Sequence, residues 1–223
     1  CPPTFSMYNF DTRLNNGNPI EIPRCEDFSL DVKAIEKSVI QHKPKVLFLT
    51  VPNNPDGGLP DTETINQLLE LPTLVVIDEA YIEFSNDEGH LGEAQSRIQN
   101  VPKRDNLVVL RTFSKWAGLA GLRVGYGAFP EWLMPTLWNV KQPYNVNVAA
   151  TKAALTSLQD LGFLTKNICL IKNERKRLFD LLSSIPFLKP FPSQANFILC
   201  KVNHCSAYDL KEYLENEGIL VRY

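Results

Sequence analysis

Lys45-Val46-Leu47-Phe48-Leu49-Thr50-Val51-Pro52 is an apolar run without period-two alternation. Thr73 to Ala80 and Leu107 to Arg111 have the same character, rich in Val, Ile and Leu. A strand with one wet face alternates apolar and polar residues, whereas a strand covered on both faces does not. The three runs therefore predict strands of a parallel sheet with both sides buried. Ser29 to His42 and Asp61 to Leu71 read as helices, each opened by a Ser or Asp suited to an N-cap. In the first, Val32, Ile35 and Val39 recur at steps of three and four, which makes one buried helical face. This β-α-β-α-β order predicts an α/β fold with a mostly parallel, doubly wound sheet.

Outward from that centre, Arg123 to Phe129 adds another strand, and Glu131 to Ile185 reads as mostly helical. Pro186, Pro190 and Pro192 cluster before a fresh strand, Ala195 to Val202, and an amphipathic helix, Ala207 to Glu217. The expected organisation is a cofactor-binding large domain over residues 1–185 and part of a smaller α+β C-terminal domain over residues 186–223. Gly218 to Tyr223 reads as a strand beginning, and Cys1-Pro2-Pro3 as the residues just after one, so the chain reads as an internal segment of a longer protein.

With 223 residues, 44 % of them hydrophobic and 22 % charged, the chain can bury a core and is neither disordered nor fibrous. Its longest apolar runs, such as Leu74 to Ile77, fall far short of the roughly 18 residues a membrane-spanning helix needs. Lys and Arg total 23 against 25 Asp and Glu, spread along the chain without a basic stripe, which argues against nucleic acid as a partner. Five cysteines form no C-x-x-C pair, so neither a zinc knuckle nor a disulfide framework is indicated and reduced intracellular thiols are expected. Cys200, His204 and Cys205 read as strand-end residues, and no metal is expected.

In a doubly wound sheet, ligands collect at the carboxyl ends of the strands. The first run ends in Pro52-Asn53-Asn54-Pro55-Asp56-Gly57-Gly58, the second in Asp78-Glu79-Ala80-Tyr81, and the third in Arg111-Thr112-Phe113-Ser114-Lys115. Taken singly these are a surface turn, a helix cap and a loop lysine. Their coincidence at three consecutive strand ends points instead to one site.

Four stretches then resemble the fold-type I pyridoxal-phosphate enzymes, and within them the histidinol-phosphate aminotransferases. They are Pro2 to Tyr8 (PPTFSMY), Pro52 to Gly57 (PNNPDG), Asp78 to Phe84 (DEAYIEF), and Thr112 to Lys115 continuing through Leu122-Arg123-Val124-Gly125-Tyr126. The resemblance covers nearly the whole chain. It implies pyridoxal 5'-phosphate as cofactor and Lys115 as the Schiff-base lysine and proton-transfer base, an amine that desolvation makes nucleophilic. Asp78 would pair with the pyridinium nitrogen, and Tyr81 and Asn54 would bond the phenolic oxygen, with the Asn54-Pro55 bond cis. Thr112, Ser114 and Arg123 would hold the cofactor phosphate. Phe5 would lie on the ring face, where relatives usually carry Tyr.

Arg222 resembles a substrate-side arginine, with an exposed strand-end arginine as the alternative, and Tyr144 and Asn145 fall where relatives reach toward a neighbouring subunit. Asp56 replaces a more usual Thr. By the same resemblance a Gly-rich phosphate loop and a substrate lid would precede Cys1, and a carboxylate-binding arginine would follow Tyr223. The implied activity exchanges an amino group between L-histidinol phosphate and the 2-oxoglutarate/glutamate pair in L-histidine biosynthesis, in a homodimer. The implied compartment is the plastid stroma of a plant or alga, or otherwise the cytoplasm. Rival readings are an aromatic aminotransferase, a threonine-phosphate decarboxylase-like enzyme, and a non-catalytic relative.

Overall fold

The computed structural model describes residues 1–85 and 91–223. A four-stranded sheet runs in the order β1 (Val46–Thr50), β2 (Leu74–Asp78), β3 (Leu107–Thr112), β4 (Gly125–Ala128). The first three are parallel, with Thr50 opposite Asp78 and Asp78 opposite Leu110, so their carboxyl ends share one edge. β4 returns antiparallel and sets Gly125 opposite Thr112. The expected strands thus form, as the mostly parallel sheet that their unbroken apolar runs require.

Helix α2 (Val32–His42) precedes β1 and α3 (Thr62–Leu69) joins β1 to β2, while among the described residues only 3-10 turns separate β2 from β3, so these elements run α-β-α-β-β and not in the expected alternation. Asp31, not Ser29, caps α2, accepting the Ala34 N–H at 2.9 Å. Ser29 is already taken up by Asp27, to which its hydroxyl donates at 2.6 Å. Asp61 caps α3 on the Thr64 N–H at 2.7 Å, as read from the sequence. Ile35 and Val39 of α2 and Ile65, Leu68 and Leu69 of α3 pack with Leu49, Val75, Ile77, Leu107 and Val109 in one buried cluster.

A second cluster joins the segments after β2 and β3 to α5 (Val148–Gln159) and α6 (Leu161–Ser183). Tyr81, Phe84, Phe113 and Trp116 meet Ala150, Ala154, Leu164 and Ile168 there. α4 (Met134–Val140) precedes them, and α1 (Met7–Leu14) opens the chain without a single buried side chain. Its apolar Met7, Phe10 and Leu14 recur at steps of three and four yet stay exposed.

β5 (Leu188–Pro190) and β6 (Cys200–Val202) form a separate antiparallel pair, followed by α7 (Ala207–Asn216). The strand expected from Ala195 is thus shortened to its last three residues. Ala195 is fully buried in the second cluster, and the Gln194 N–H donates to the Gly57 carbonyl at 2.8 Å, so this backbone is committed to docking and not to a ladder. Gly218 to Tyr223 forms no strand. The segment is exposed and pairs with no strand among the described residues. Among the same residues no helix is long and apolar enough to cross a membrane.

Leu68 is completely buried on α3, remote from the strand ends that carry the conspicuous polar motifs. Leu68→Ala is expected to lower unfolding stability by about 2–5 kcal/mol, the transfer and cavity terms together. Urea denaturation checks this, with a lower midpoint and an unchanged slope as the expected result.

Candidate active site

The turn after β1 is organised by Asn53, which has no exposed surface. Its backbone N–H donates to the Gly58 carbonyl and its carbonyl accepts from the Gly57 N–H, both at 2.8 Å. Its side-chain amide donates to the Pro3 carbonyl at 3.0 Å and to the Asp56 carboxylate, and its side-chain oxygen accepts from the Thr4 hydroxyl at 2.9 Å. Asp56 also accepts the Gly58 N–H at 2.7 Å, so the departure from Thr serves to close the turn. Gly57 has φ +74°, and a Cβ there would come within 2.0 Å of the Ser193 hydroxyl. Only glycine satisfies both conditions.

With Asn53 turned inward, Asn54 is left to the site, where its Nδ2 donates to the Tyr81 hydroxyl at 3.4 Å. The cis peptides are Pro2-Pro3 and Val51-Pro52. The cis bond implied at Asn54-Pro55 is not found, since the reversal is made by the left-handed Gly57 and the two backbone bonds around Asn53.

At the end of β2, Asp78 Oδ1 accepts the Ala80 N–H at 3.0 Å, and Oδ2 accepts a hydrogen bond from the Tyr8 hydroxyl. Tyr8 stacks on Phe48 with ring centroids 5.0 Å apart and planes 19° apart. Burial pushes the Asp78 carboxyl above the usual carboxylate range, while the Tyr8 hydroxyl, the Ala80 N–H and the Lys115 charge pull against it. Burial and the Asp78 charge push the Tyr8 phenol well above its ordinary value, so it stays a donor. Lys115 Nζ lies 5.4 Å from the Tyr81 ring centroid. The desolvation expected of Lys115 is not met, because the residue is exposed in the turn after β3 with an aromatic face beside it.

At the end of β3, Thr112 accepts the Ser114 N–H at 3.0 Å. Arg123 Nη1 donates to the Ser114 hydroxyl at 3.5 Å and to the Ala120 carbonyl at 2.9 Å. Arg123 has φ +55°, a conformation that non-glycine residues adopt where the surroundings impose it. Phe5 is exposed and meets the Tyr8 ring edge-on at 5.9 Å.

The structure thus gathers Asn54, Asp78, Tyr81, Lys115, Thr112, Ser114 and Arg123 along one sheet edge, with Phe5 alongside. It does not bring Arg222, Tyr144 or Asn145 to them. Arg222 is exposed in the segment after α7, Tyr144 is 97 % exposed, and Asn145 is engaged by Lys141 at 3.1 Å. Sequence reasoning missed Tyr8, although it closes the PPTFSMY stretch three residues after Phe5. It also missed a buried group of Glu79, Arg111 and Glu83 on the other side of the strand ends.

The donor set fits pyridoxal 5'-phosphate. A half-buried carboxylate suits the ring nitrogen, the hydroxyl of Tyr81 and the amide of Asn54 suit the phenolic oxygen, and two hydroxyls with a guanidinium suit the phosphate dianion. Lys115 is the amine nearest Asp78 and Tyr81 in this group. Among the described residues no three His, Cys, Asp or Glu side chains converge as metal ligands.

The sequence profile of a family described as aminotransferase class I and II matches residues 1–223. Over its whole length the chain is 52 % identical to the chloroplastic histidinol-phosphate aminotransferase of Nicotiana plumbaginifolia and covers 52 % of that protein. The histidinol-phosphate aminotransferase of Clostridium acetobutylicum superposes with a TM-score of 0.91 at 27 % identity, over 99 % of this chain and 66 % of that one. The Sinorhizobium meliloti enzyme of the same name, in complex with pyridoxal-5'-phosphate, gives 0.86 at 25 % identity, over 98 % of this chain and 59 % of that one. The chain spans about half the length of the curated plant relatives it matches.

Tyr8→Phe removes the hydroxyl donated to Asp78 and leaves the stacking ring in place. Burial then acts on Asp78 with less opposition, so its carboxyl is expected to titrate at higher pH than in the wild type. Infrared difference titration with labelled aspartate measures this. An unshifted or lowered titration in the variant would refute the role given to Tyr8.

Proposed function

The chain belongs to the aminotransferase class I and II family, and on that premise we propose that the whole protein exchanges an amino group between L-histidinol phosphate and 2-oxoglutarate in L-histidine synthesis. The observation that carries this reading is the convergence of Asp78, Tyr81, Asn54 and Lys115 with Thr112, Ser114 and Arg123 at one sheet edge. The names of the plant and bacterial relatives, at 43–52 % identity over the whole chain, support the substrate.

Bound pyridoxal phosphate supplies an aldehyde and an electron-accepting ring. Asp78, to which the Tyr8 hydroxyl and the Ala80 N–H donate, would hold a proton at the ring nitrogen. Asn54 and Tyr81 orient the ring through its phenolic oxygen, and Phe5 covers a face. Thr112, Ser114 and Arg123 hold the phosphate. Lys115 Nζ is the covalent anchor and the base that moves the substrate α-proton. The Tyr81 ring lies beside that amine.

We read Arg222 as the substrate-phosphate ligand, its guanidinium fork suited to a dianion remote from the reacting amine. A homodimer is supported by apolar surface on and around α4 and α5, where Trp138, Val140 and Val148 are 65 %, 70 % and 86 % exposed. The two-domain division at residue 186 is supported by the separate β5–β6 sheet. The compartment we propose is the plastid stroma where the organism has one, following the chloroplastic relative, and the cytoplasm otherwise.

In the full-length protein, borohydride reduction and peptide mapping should place the pyridoxyl group on Lys115. Asp78→Asn should bind cofactor yet lose turnover on the order of 10³-fold, or about 4 kcal/mol of transition-state stabilisation. Near-normal turnover would reduce Asp78 to a structural cap.

For Arg222→Leu the informative pair is kcat/KM on histidinol phosphate and on a phosphate-free amino donor. The first should fall about 100-fold, the loss of roughly 2–4 kcal/mol of charge-assisted binding, while the second barely moves. A parallel loss on both donors would assign Arg222 to the fold or to the α-carboxylate.

A further inference from the structure

Glu79 follows Asp78 along the chain but turns to other partners. It is wholly buried. Oε1 accepts the Arg97 backbone N–H at 2.6 Å, and Oε2 accepts the Ser96 hydroxyl at 2.6 Å and Arg111 Nε at 3.1 Å. Arg111 stands directly before Thr112, and its Nη1 lies 3.6 Å from Glu83 Oε1. Glu83, on the 3-10 turn Ile82–Phe84, is 2 % exposed, and its Oε2 has no hydrogen-bond partner among the described residues. One guanidinium therefore bridges the end of β2, the end of β3 and the turn after Tyr81. Each member of this group lies within two residues of a group assigned to the cofactor.

Simple stabilisation does not account for it. Two carboxylates and one guanidinium taken out of water are seldom worth more than an apolar packing of the same volume, and apolar clusters already hold these elements. What the bridge adds is direction, because a planar fork fixes both partners relative to itself. We propose that Glu79, Arg111 and Glu83 are positioning residues, the guanidinium setting the separation of Asp78 and Thr112 and the proton on Glu83 deciding whether Glu79 alone or both carboxylates hold it. The proposal rests on reading Asp78 and Thr112 as cofactor ligands.

Burial pushes Glu83 up to about 8 against the pull of Arg111, with the Glu79 charge adding to the rise. Other charged and titratable groups face the same cluster. From β4, Tyr126 faces Arg111, and Glu93 lines a cavity beside it. From α6, Lys172 and Arg175 approach the turn but donate to the Ser85 and Phe84 carbonyls at 2.7 and 2.9 Å. The sign follows from the raised value. Folded Glu83 holds a proton between the ordinary carboxylate range and about pH 8, where the unfolded chain has released it, so its contribution to stability falls as pH rises through that window and is gone above it. Once ionised, Glu83 competes with Glu79 for Arg111, and the spacing of the strand ends shifts.

The test uses full-length wild type, Glu83→Gln and Arg111→Lys, with pyridoxal phosphate affinity measured by equilibrium dialysis from about pH 6.5 to 9.5 and apo-protein melting at the same pH values. Gln mimics the protonated acid at every pH. Every other titrating group is common to both curves, so their difference isolates Glu83. Between about pH 7 and 9 the wild type should lose roughly tenfold more affinity than Glu83→Gln. Arg111→Lys keeps the charge without the fork and should bind about tenfold more weakly throughout, while melting near the wild type. Parallel affinity curves for wild type and Glu83→Gln overturn the proposal whatever Arg111→Lys does. Failure of the wild type to take up cofactor at any pH overturns the cofactor reading itself, and is distinguished by occurring before any variant is compared.

Discussion

A carboxylate withdrawn from water at the end of a strand is the constraint on which the candidate site depends. Asp78 would surrender its charge to burial unless donors were built around it. The backbone offers one in the Ala80 N–H, and the other is the Tyr8 hydroxyl, from a helix with no buried side chain. α1 must therefore be held by something other than its own core face. Stacking of Tyr8 on Phe48 supplies one hold, and the bonds from Asn53 to Pro3 and Thr4 supply the other. The ionisation of Asp78 thus reaches back, through Tyr8, to the turn after β1.

Adjacent residues divide the labour at all three strand ends. Asn54 bonds Tyr81 while Asn53 closes its turn, Asp78 meets Tyr8 while Glu79 fastens the segment carrying Ser96 and Arg97, and Thr112 caps Ser114 while Arg111 joins the two glutamates. At the ends of β2 and β3 the extended backbone sends successive side chains to opposite faces, so a polar residue on the ligand side has its neighbour delivered to the buried side, and after β1 the turn itself makes the same division. A polar neighbour there must find partners, and each of these three does.

This pairing also explains what could be read from sequence and what could not. β1, β2 and β3 were legible because burial on both faces leaves an unbroken apolar run, and the seven clustered residues were legible because their motifs sit at those strand ends. Tyr8 was not, since nothing in PPTFSMY distinguishes a ring that stacks on cofactor from one that donates to a carboxylate across the fold. Glu79 beside Asp78 read singly as part of a helix cap, because burial of a charge is decided by distant partners such as Arg97 and Arg111. Ser29 and Asp31 both suit an N-cap, and only the competing bond to Asp27 settles the choice. The exposure of Lys115 follows from the turn it occupies and not from its neighbours in sequence.

The two apolar clusters separate two kinds of sensitivity. α2 and α3 pack on the first, with the bodies of β1, β2 and β3, so a cavity there weakens the sheet without displacing a ligand group. Tyr81, Phe113 and Trp116 belong to the second, packed on α5 and α6, and they sit between or beside Asp78, Thr112 and Lys115 in the chain. Side chains in a dense interior transmit displacement and do not absorb it. The second cluster therefore sets the position of the chemistry directly. The segment Ser193 to Ala195 is the route by which the β5–β6 region is felt at the site, since it is seated against Gly57 and inside that same cluster. A movement of β5 and β6 relative to the main sheet would be transmitted first to the turn that carries Asn54.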